Sequence, residues 1–144
     1  MKALCLTLFL AATLGASAAL IESPQKGGLQ IKSLSSLSFG PEGLLLVAES
    51  ASASVVAIQT GDVGPAQARL EKPVADIGAV IADGLGAKKE DITVKDLAVN
   101  PASGRVYLAV QRKPDNAVMI VTVDAAGKVA PLQLDGVPWA RITL

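Results

Sequence analysis

Apolar runs of strand length, separated by turns rich in Gly, Pro, Asn and Asp, limit the folds open to this chain. Leu44–Ala48 and Val55–Gln59 are two such runs, and Arg105–Gln111 places Val106, Leu108 and Val110 on one face. Runs this short are typical of β-strands, and tight turns between successive runs favour antiparallel pairing. The sequence therefore predicts a mainly β fold built from antiparallel, four-stranded β-meanders.

The strand-and-turn pattern occurs twice. Leu37-Ser-Phe-Gly-Pro-Glu-Gly43 aligns with Leu97-Ala-Val-Asn-Pro-Ala-Ser-Gly104, starting 60 residues later, and the strands that follow align in the same order. Internal repeats of this kind mark stacked or radial β architectures. We expect residues 31–70 and 92–134 to fold alike, with a fourth strand over 66–70 in the first copy. Leu37 and Val47 should then match Leu97 and Leu108 on core-facing positions.

In residues 74–85 the spacing of the apolar side chains changes from that of a strand to that of a helix. Val74, Ile77, Ile81 and Leu85 lie three or four residues apart. This spacing predicts a short amphipathic helix with Ile77 and Ile81 buried, which Gly86 would end. The resulting organisation is a signal peptide over 1–18, an irregular lead-in over 19–30, a first blade-like repeat over 31–73, a helical insert and loop over 74–91, a second blade-like repeat over 92–136 and the start of a further repeat over 137–144.

The first residues are typical of a secretory signal peptide. Lys2 precedes an apolar stretch of 12 residues, and Ala16-Ser17-Ala18 follows as a cleavage site. The apolar stretch is shorter than the ~20 residues that span a bilayer, although Ala3–Ile21 would leave an uncleaved anchor as an alternative. We expect cleavage after Ala18, a secreted or periplasmic protein and no stable membrane span. The mature chain would have no cysteine, because the only one is Cys5.

Composition excludes several function classes. The chain has 13 Lys+Arg, 13 Asp+Glu, no His and 3% aromatic residues. Such a neutral chain lacks the positive charge and the aromatic platforms that nucleic-acid binding requires. Without His, it also lacks the usual zinc ligand and the usual general base of a catalytic serine. We therefore expect no nucleic-acid partner, and the partner remains an unknown small molecule or protein.

Few residues are candidates for chemistry. Glu90, Asp91 and Asp96 form the densest acidic group, but their spacing fits no known calcium loop, which favours a solvated loop. Ser103 lies in a turn with no His to activate it. Glu49 and Asp96 lie near strand ends, and Trp139 beside Arg141 is either a binding surface or core packing. The sequence predicts no catalytic, cofactor-binding or metal-ligating residue.

The segments around Leu37–Ser50 and Asp96–Val110 resemble blades of bacterial exported β-propellers of the NHL, YVTN and quinoprotein-like kinds. The resemblance covers about residues 31–134 and implies an architecture, a partial β-propeller of two blades, with no particular activity. A closed propeller takes 4–8 blades. The resemblance therefore implies an N-terminal fragment of a longer propeller, whose exposed faces would self-associate.

Three functions fit these features. The first is an exported, non-enzymatic propeller or fragment with a binding or scaffold role. The second is the N-terminal part of a propeller enzyme, a lactonase or quinoprotein-like protein, whose catalytic groups lie mostly downstream. The third is a small standalone β domain whose two meanders resemble each other by chance.

Overall fold

A computed structural model describes residue 21 and residues 24–64, 70–113 and 115–144. The predicted signal peptide and most of the predicted strand over 66–70 lie outside these residues. The described chain is mainly β, with two antiparallel sheets and one α-helix, which confirms the predicted fold class at that level. Its elements are β1 (Gln25–Lys26), β2 (Ser36–Phe39), β3 (Leu44–Glu49), β4 (Ser54–Gln59), α1 (Ile77–Leu85), β5 (Ile92–Val99), β6 (Val106–Arg112), β7 (Ala117–Val123), β8 (Val129–Pro131) and β9 (Pro138–Thr143).

Sheet B is a four-stranded antiparallel meander in the order β5-β6-β7-β8. Its strands are consecutive in sequence, as the pattern of short apolar runs predicts. The last hairpin turns at Asp124–Lys128, where Gly127 has a φ of +81° and its N–H bonds to the Asp124 carbonyl. Glycine takes this left-handed conformation without steric cost, so it suits the tight turn between β7 and β8.

Sheet A has the strand order β1-β9-β4-β3-β2 and is assembled from both ends of the described chain. Strands β2, β3 and β4 form the predicted meander, but its fourth strand is β9, which pairs antiparallel with β4. Residues 137–144, expected to begin a further repeat, thus complete the first sheet. The expected irregular lead-in contains β1, which pairs with β9. A strand at a sheet edge has unpaired N–H and C=O groups, and β9 satisfies those of β4.

The molecule has three layers: sheet A, sheet B and helix α1. The main core lies between the sheets, where Leu45, Val47 and Ile58 of sheet A meet Tyr107 and Ile120 of sheet B. Phe39 and Tyr107 meet edge to face, with ring centroids 4.9 Å apart. A second core lies on the other face of sheet B. There α1 places Ile81 against the side chains of Leu108, Val110, Val121, Val123 and Val129.

Helix α1 forms over Ile77–Leu85, slightly shorter than the predicted helix. The Asp76 side chain accepts a hydrogen bond from the Ala79 N–H and so caps the N-terminus. Gly86, with a φ of +62°, ends the helix as predicted. Ile81 is fully buried and Ile77 is half-buried, so the prediction is confirmed for Ile81 and partly for Ile77.

Equivalent strand positions lie on the same face of each sheet, and these faces point in the same direction along the stack. The cross-strand neighbours Leu37, Val47 and Val56 of sheet A correspond to Leu97, Leu108 and Val121 of sheet B. The first set faces sheet B and the second faces α1, so the sheets stack face to back. The prediction that all these positions face a core is wrong at one of them. Leu97 is 53% exposed, although its cross-strand neighbour Leu108 is buried in the core under α1.

Candidate functional site

The loop that follows β4 lies against the β2–β3 turn of sheet A. The Thr60 hydroxyl donates to the Gly43 carbonyl at 2.7 Å and accepts from the Asp62 N–H at 3.2 Å. Gly43 has a φ of +71°, and a Cβ built on it would lie 2.7 Å from the Asp62 carbonyl oxygen. Only glycine meets both conditions. The turn at residues 40–43 therefore holds the backbone of the loop that carries Asp62.

Asp62 Oδ2 is the acceptor at the centre of a polar cluster that joins the loop to sheet B. It accepts hydrogen bonds from Asn100 Nδ2 at 3.0 Å, Ser103 Oγ at 2.7 Å and Tyr107 Oη at 2.9 Å. Asn100 Nδ2 also donates to the Asp62 carbonyl at 2.6 Å. Asn100, Ser103 and Tyr107 are buried, so one carboxylate satisfies three buried polar side chains.

Within this cluster the pKa of Asp62 is lowered and the pKa of Tyr107 is raised. Burial opposes ionisation of Asp62, but hydrogen bonds from Ser103, Tyr107 and Asn100 outweigh it and lower the pKa of the carboxyl group. Burial, followed by the hydrogen bond to Asp62, raises the pKa of Tyr107 to about 12. At neutral pH the cluster therefore holds an ionised Asp62 and a protonated Tyr107.

The cluster does not resemble a nucleophilic site. Ser103 donates its proton to a carboxylate that two other groups already share, and its side chain is buried. A catalytic serine needs a base that removes its proton and a reacting carbonyl within reach. The geometry assigns Ser103 a structural role, joining the β5–β6 turn to the loop after β4.

Asp96, on β5 of sheet B, forms hydrogen bonds with β2 of sheet A. Its Oδ2 accepts from the Leu37 N–H at 2.7 Å and the Ser36 hydroxyl at 2.9 Å, and its Oδ1 accepts from the Leu97 N–H at 2.9 Å. A register shift between Val94 and Asp96 re-aims this side chain. The hydrogen bonds, that of the Leu37 N–H first, lower the pKa of Asp96. The carboxylate thus connects β5 to β2.

Glu49 is a buried carboxylate within sheet A. It accepts from the Lys32 N–H at 2.8 Å and pairs with Arg141 Nη2 at 2.9 Å. Arg141 also lies 5.5 Å from the Trp139 ring centroid, and Trp139 Nε1 donates to the Gly27 carbonyl at 3.0 Å. Trp139 is buried, so this pair of residues attaches β9 to the core and offers no exposed aromatic surface.

The predicted acidic group does not converge. Glu90 is exposed at the turn before β5, and Asp91 is half-buried beside it, whereas Asp96 bonds to β2. Within the part of the chain that the structure describes, no three acidic, Cys or His side chains come together as metal ligands. The interpretation of Lys88–Asp91 as a solvated loop agrees with this placement.

Sheet A has an outer face that points away from sheet B. None of its apolar residues belongs to either core, and most are half-buried, whereas Ile142 is 64% exposed. Its charged residue is Lys26, on the short edge strand β1 opposite Pro138. The outer face is formed by Leu44, Leu46, Ala48, Val55, Ala57, Gln59, Ala140 and Ile142, with Ser36 and Ser38 of β2 along one side.

An apolar cavity of about 180 Å³ lies at the other end of the stack, beside the start of α1. Leu70, Val74 and Ile77 line one side of it, and Leu97 and Leu108 line the sheet side. Small-molecule sites are larger, about 300–1,000 Å³, and include a few polar groups that orient the ligand. This cavity is smaller and has an apolar lining, so it is a packing gap between the start of α1 and sheet B.

Sequence patterns missed the Asp62 cluster, because Thr60–Pro65 has the composition of any polar turn. The signal that could have found it is a lone Asp between two strands, opposite a turn that contains both Asn100 and Ser103. The family comparison finds no matching model, and neither curated proteins nor solved structures give a significant match. Among the described residues, no helix is long and apolar enough to cross a membrane.

Proposed function

We propose that this chain is an exported, non-enzymatic binding or scaffold module of the β-propeller type, with two blade-like repeats. The observation that carries the proposal is the outer face of sheet A, an apolar surface that belongs to neither core. Contiguous apolar surfaces of this kind mark interaction sites. The signal-like segment before Ala18 supports export, and the face-to-back stacking of equivalent strands supports a propeller-type arrangement.

The carboxylates argue against the enzyme alternative. Asp62, Asp96 and Glu49 each accept several hydrogen bonds from the chain itself. A catalytic or metal-binding carboxylate needs lone pairs that face a substrate or an ion. Here those lone pairs join loops and strands, so the polar groups stabilise the module and the apolar face binds.

Two measurements test this proposal on the protein exported by a bacterial host from the full chain. Mass spectrometry should find an N-terminus at Ala19, because signal peptidase cuts after Ala18. Calorimetric titration with Ca²⁺ should show no stoichiometric binding, and chromogenic lactone and ester substrates should not turn over. Stoichiometric Ca²⁺ binding, or turnover that Asp96→Asn abolishes, would establish the enzyme alternative instead.

An apolar dye tests the binding face directly. Leu46 lies near the middle of the outer face, paired with Ala57. Leu46→Lys should reduce the fluorescence of a bound naphthalene sulfonate dye, because a charge interrupts the apolar surface. Asp83→Lys, exposed on α1 away from this face, is the control and should leave that signal nearly unchanged. Equal losses in both variants would contradict a binding face on sheet A.

A further inference from the structure

We infer that the outer face of sheet A binds the same face of a second copy, in a two-fold dimer. The inference rests on the proposed function and names the partner of its binding face. It begins from the equivalence of the two sheets. Leu46, Ala48 and Val55 of sheet A occupy the positions of Tyr107, Ala109 and Ile120 in sheet B. In sheet B, those positions are buried under sheet A.

The chemistry of the outer face suits an identical surface. Its residues on β3, β4 and β9 are apolar or, at Gln59, uncharged. Ser36 and Ser38 lie at one rim on β2, and Lys26 lies at the other rim on β1. Two copies facing each other through a two-fold axis would place no like charges together at the centre. In sheet B, by contrast, the residues that flank the paired strands at the positions equivalent to Leu44 and Gln59 are Arg105 and Asp124. A flat face without charge and without a concave pocket fits another sheet better than a small ligand.

Helix α1 determines why the assembly stops at two copies. A head-to-tail stack would place the outer face of one copy on the α1 side of sheet B in the next. That side is occupied, because Ile81 of α1 packs on Leu108, Val110 and Val121. Head-to-tail contacts that do not close form filaments, whereas a two-fold contact closes on itself. The helix therefore leaves the outer face available to the equivalent face of a second copy.

The size of the face indicates a reversible dimer. Three strands of six residues and the four-residue β2, about 4.8 Å apart with a rise of 3.3 Å per residue, cover roughly 350 Å². Two copies would therefore bury on the order of 700 Å², the low end of weak and transient interfaces. We expect dissociation in the micromolar range, visible as a concentration-dependent mass.

The test uses the exported protein and light scattering after size-exclusion chromatography. The mass should rise from monomer to dimer with concentration. Leu46→Lys and Leu46→Glu should each weaken dimerisation on the order of a hundredfold, because each places like charges across the two-fold axis. Leu46→Met should leave dimerisation nearly unchanged, and so should Leu97→Lys at the α1 end.

Mixing the two charged variants separates loss of the interface from loss of folding. Leu46→Lys mixed with Leu46→Glu should associate again, since opposite charges then face each other. A monomer at every concentration would overturn the inference, as would equal weakening by Leu97→Lys or a mixture that stays monomeric. These results would leave the proposed function standing, because Ca²⁺ binding and substrate turnover test that function separately.

Discussion

Sheets A and B begin from the same strand pattern and differ in where their fourth strand comes from. In sheet B, β8 follows β7 through a tight turn. In sheet A, β9 arrives from more than 70 residues beyond β4 in the chain. Closing a long loop costs more conformational entropy than closing a short one, so the distant strand needs additional contacts to stay paired.

One pair of equivalent positions shows how sheet A provides those contacts. Glu49 ends β3 at the position that Val110 occupies in β6. Val110 packs under α1, whereas Glu49 is buried and pairs with Arg141 on β9. A strand joined by a hairpin needs only apolar packing. The strand from the far end of the chain is attached by an ion pair, a buried Trp139 and the hydrogen bond from its indole to Gly27.

The largest expected effect on stability comes from disrupting the packing of α1 on sheet B. Ile81→Asp should lower the free energy of unfolding by about 4 kcal/mol, because it places an unpaired carboxylate in the core under α1. Urea denaturation followed by circular dichroism measures this change. Ala79→Asp, exposed on the same helix, is the matched control and should cost less than about 1 kcal/mol. Similar midpoints for both variants would show that α1 does not seal sheet B.

The second prediction concerns the attachment of β9. Arg141→Met should cost about 3 kcal/mol, because it leaves Glu49 buried without its cation. Adding Glu49→Val, the residue type that sheet B has at this position, should recover most of that loss. The double-mutant cycle in urea measures the coupling between the two positions. If the stability losses of Arg141→Met and Glu49→Val were additive, the ion pair would not be what attaches β9.

The third prediction tests the junction between the sheets. Asp62→Ala should cost about 2–3 kcal/mol, because it leaves Asn100, Ser103 and Tyr107 without their shared acceptor. Asp83→Ala provides the comparison, since Asp83 is exposed on α1 and should change stability by less than about 0.5 kcal/mol. Thermal unfolding measures both. Equal melting temperatures would mean that the Asp62 cluster does not stabilise the contact between sheets A and B.

The smallest effect is the response of the same junction to alkaline pH. Tyr107 has a pKa raised from 10.0 to about 12, so above pH 10 the unfolded chain loses this proton more readily than the folded protein. Stability from this group is therefore complete below pH 10 and falls as the pH rises toward 12. Tyr107→Phe should remove that part of the alkaline loss. An unchanged pH profile in this variant would contradict the shift.

The sequence predicted local structure well where one short segment determines it. Apolar runs of strand length and Pro/Gly turns identified β3, β4 and β6, and helical spacing identified α1 with Gly86 at its end. Each of these signals depends on neighbouring residues, which share one face or one turn. Most of the polar cluster was not predicted, because Asp62 and Asn100 are 38 residues apart and a turn composition does not show what the turn contacts.

The amino-acid sequence was sufficient to predict that this chain is mainly β, that its strands pair antiparallel, and that one short helix ends at Gly86. The tertiary structure decided that β9 completes sheet A, that Leu97 lies exposed while Leu37 is buried, and that one carboxylate serves three buried side chains. The physical reason is the range of the interactions. Alternation and turn chemistry act within a few residues, whereas an open strand edge or a buried donor takes whichever partner the folded chain brings to it.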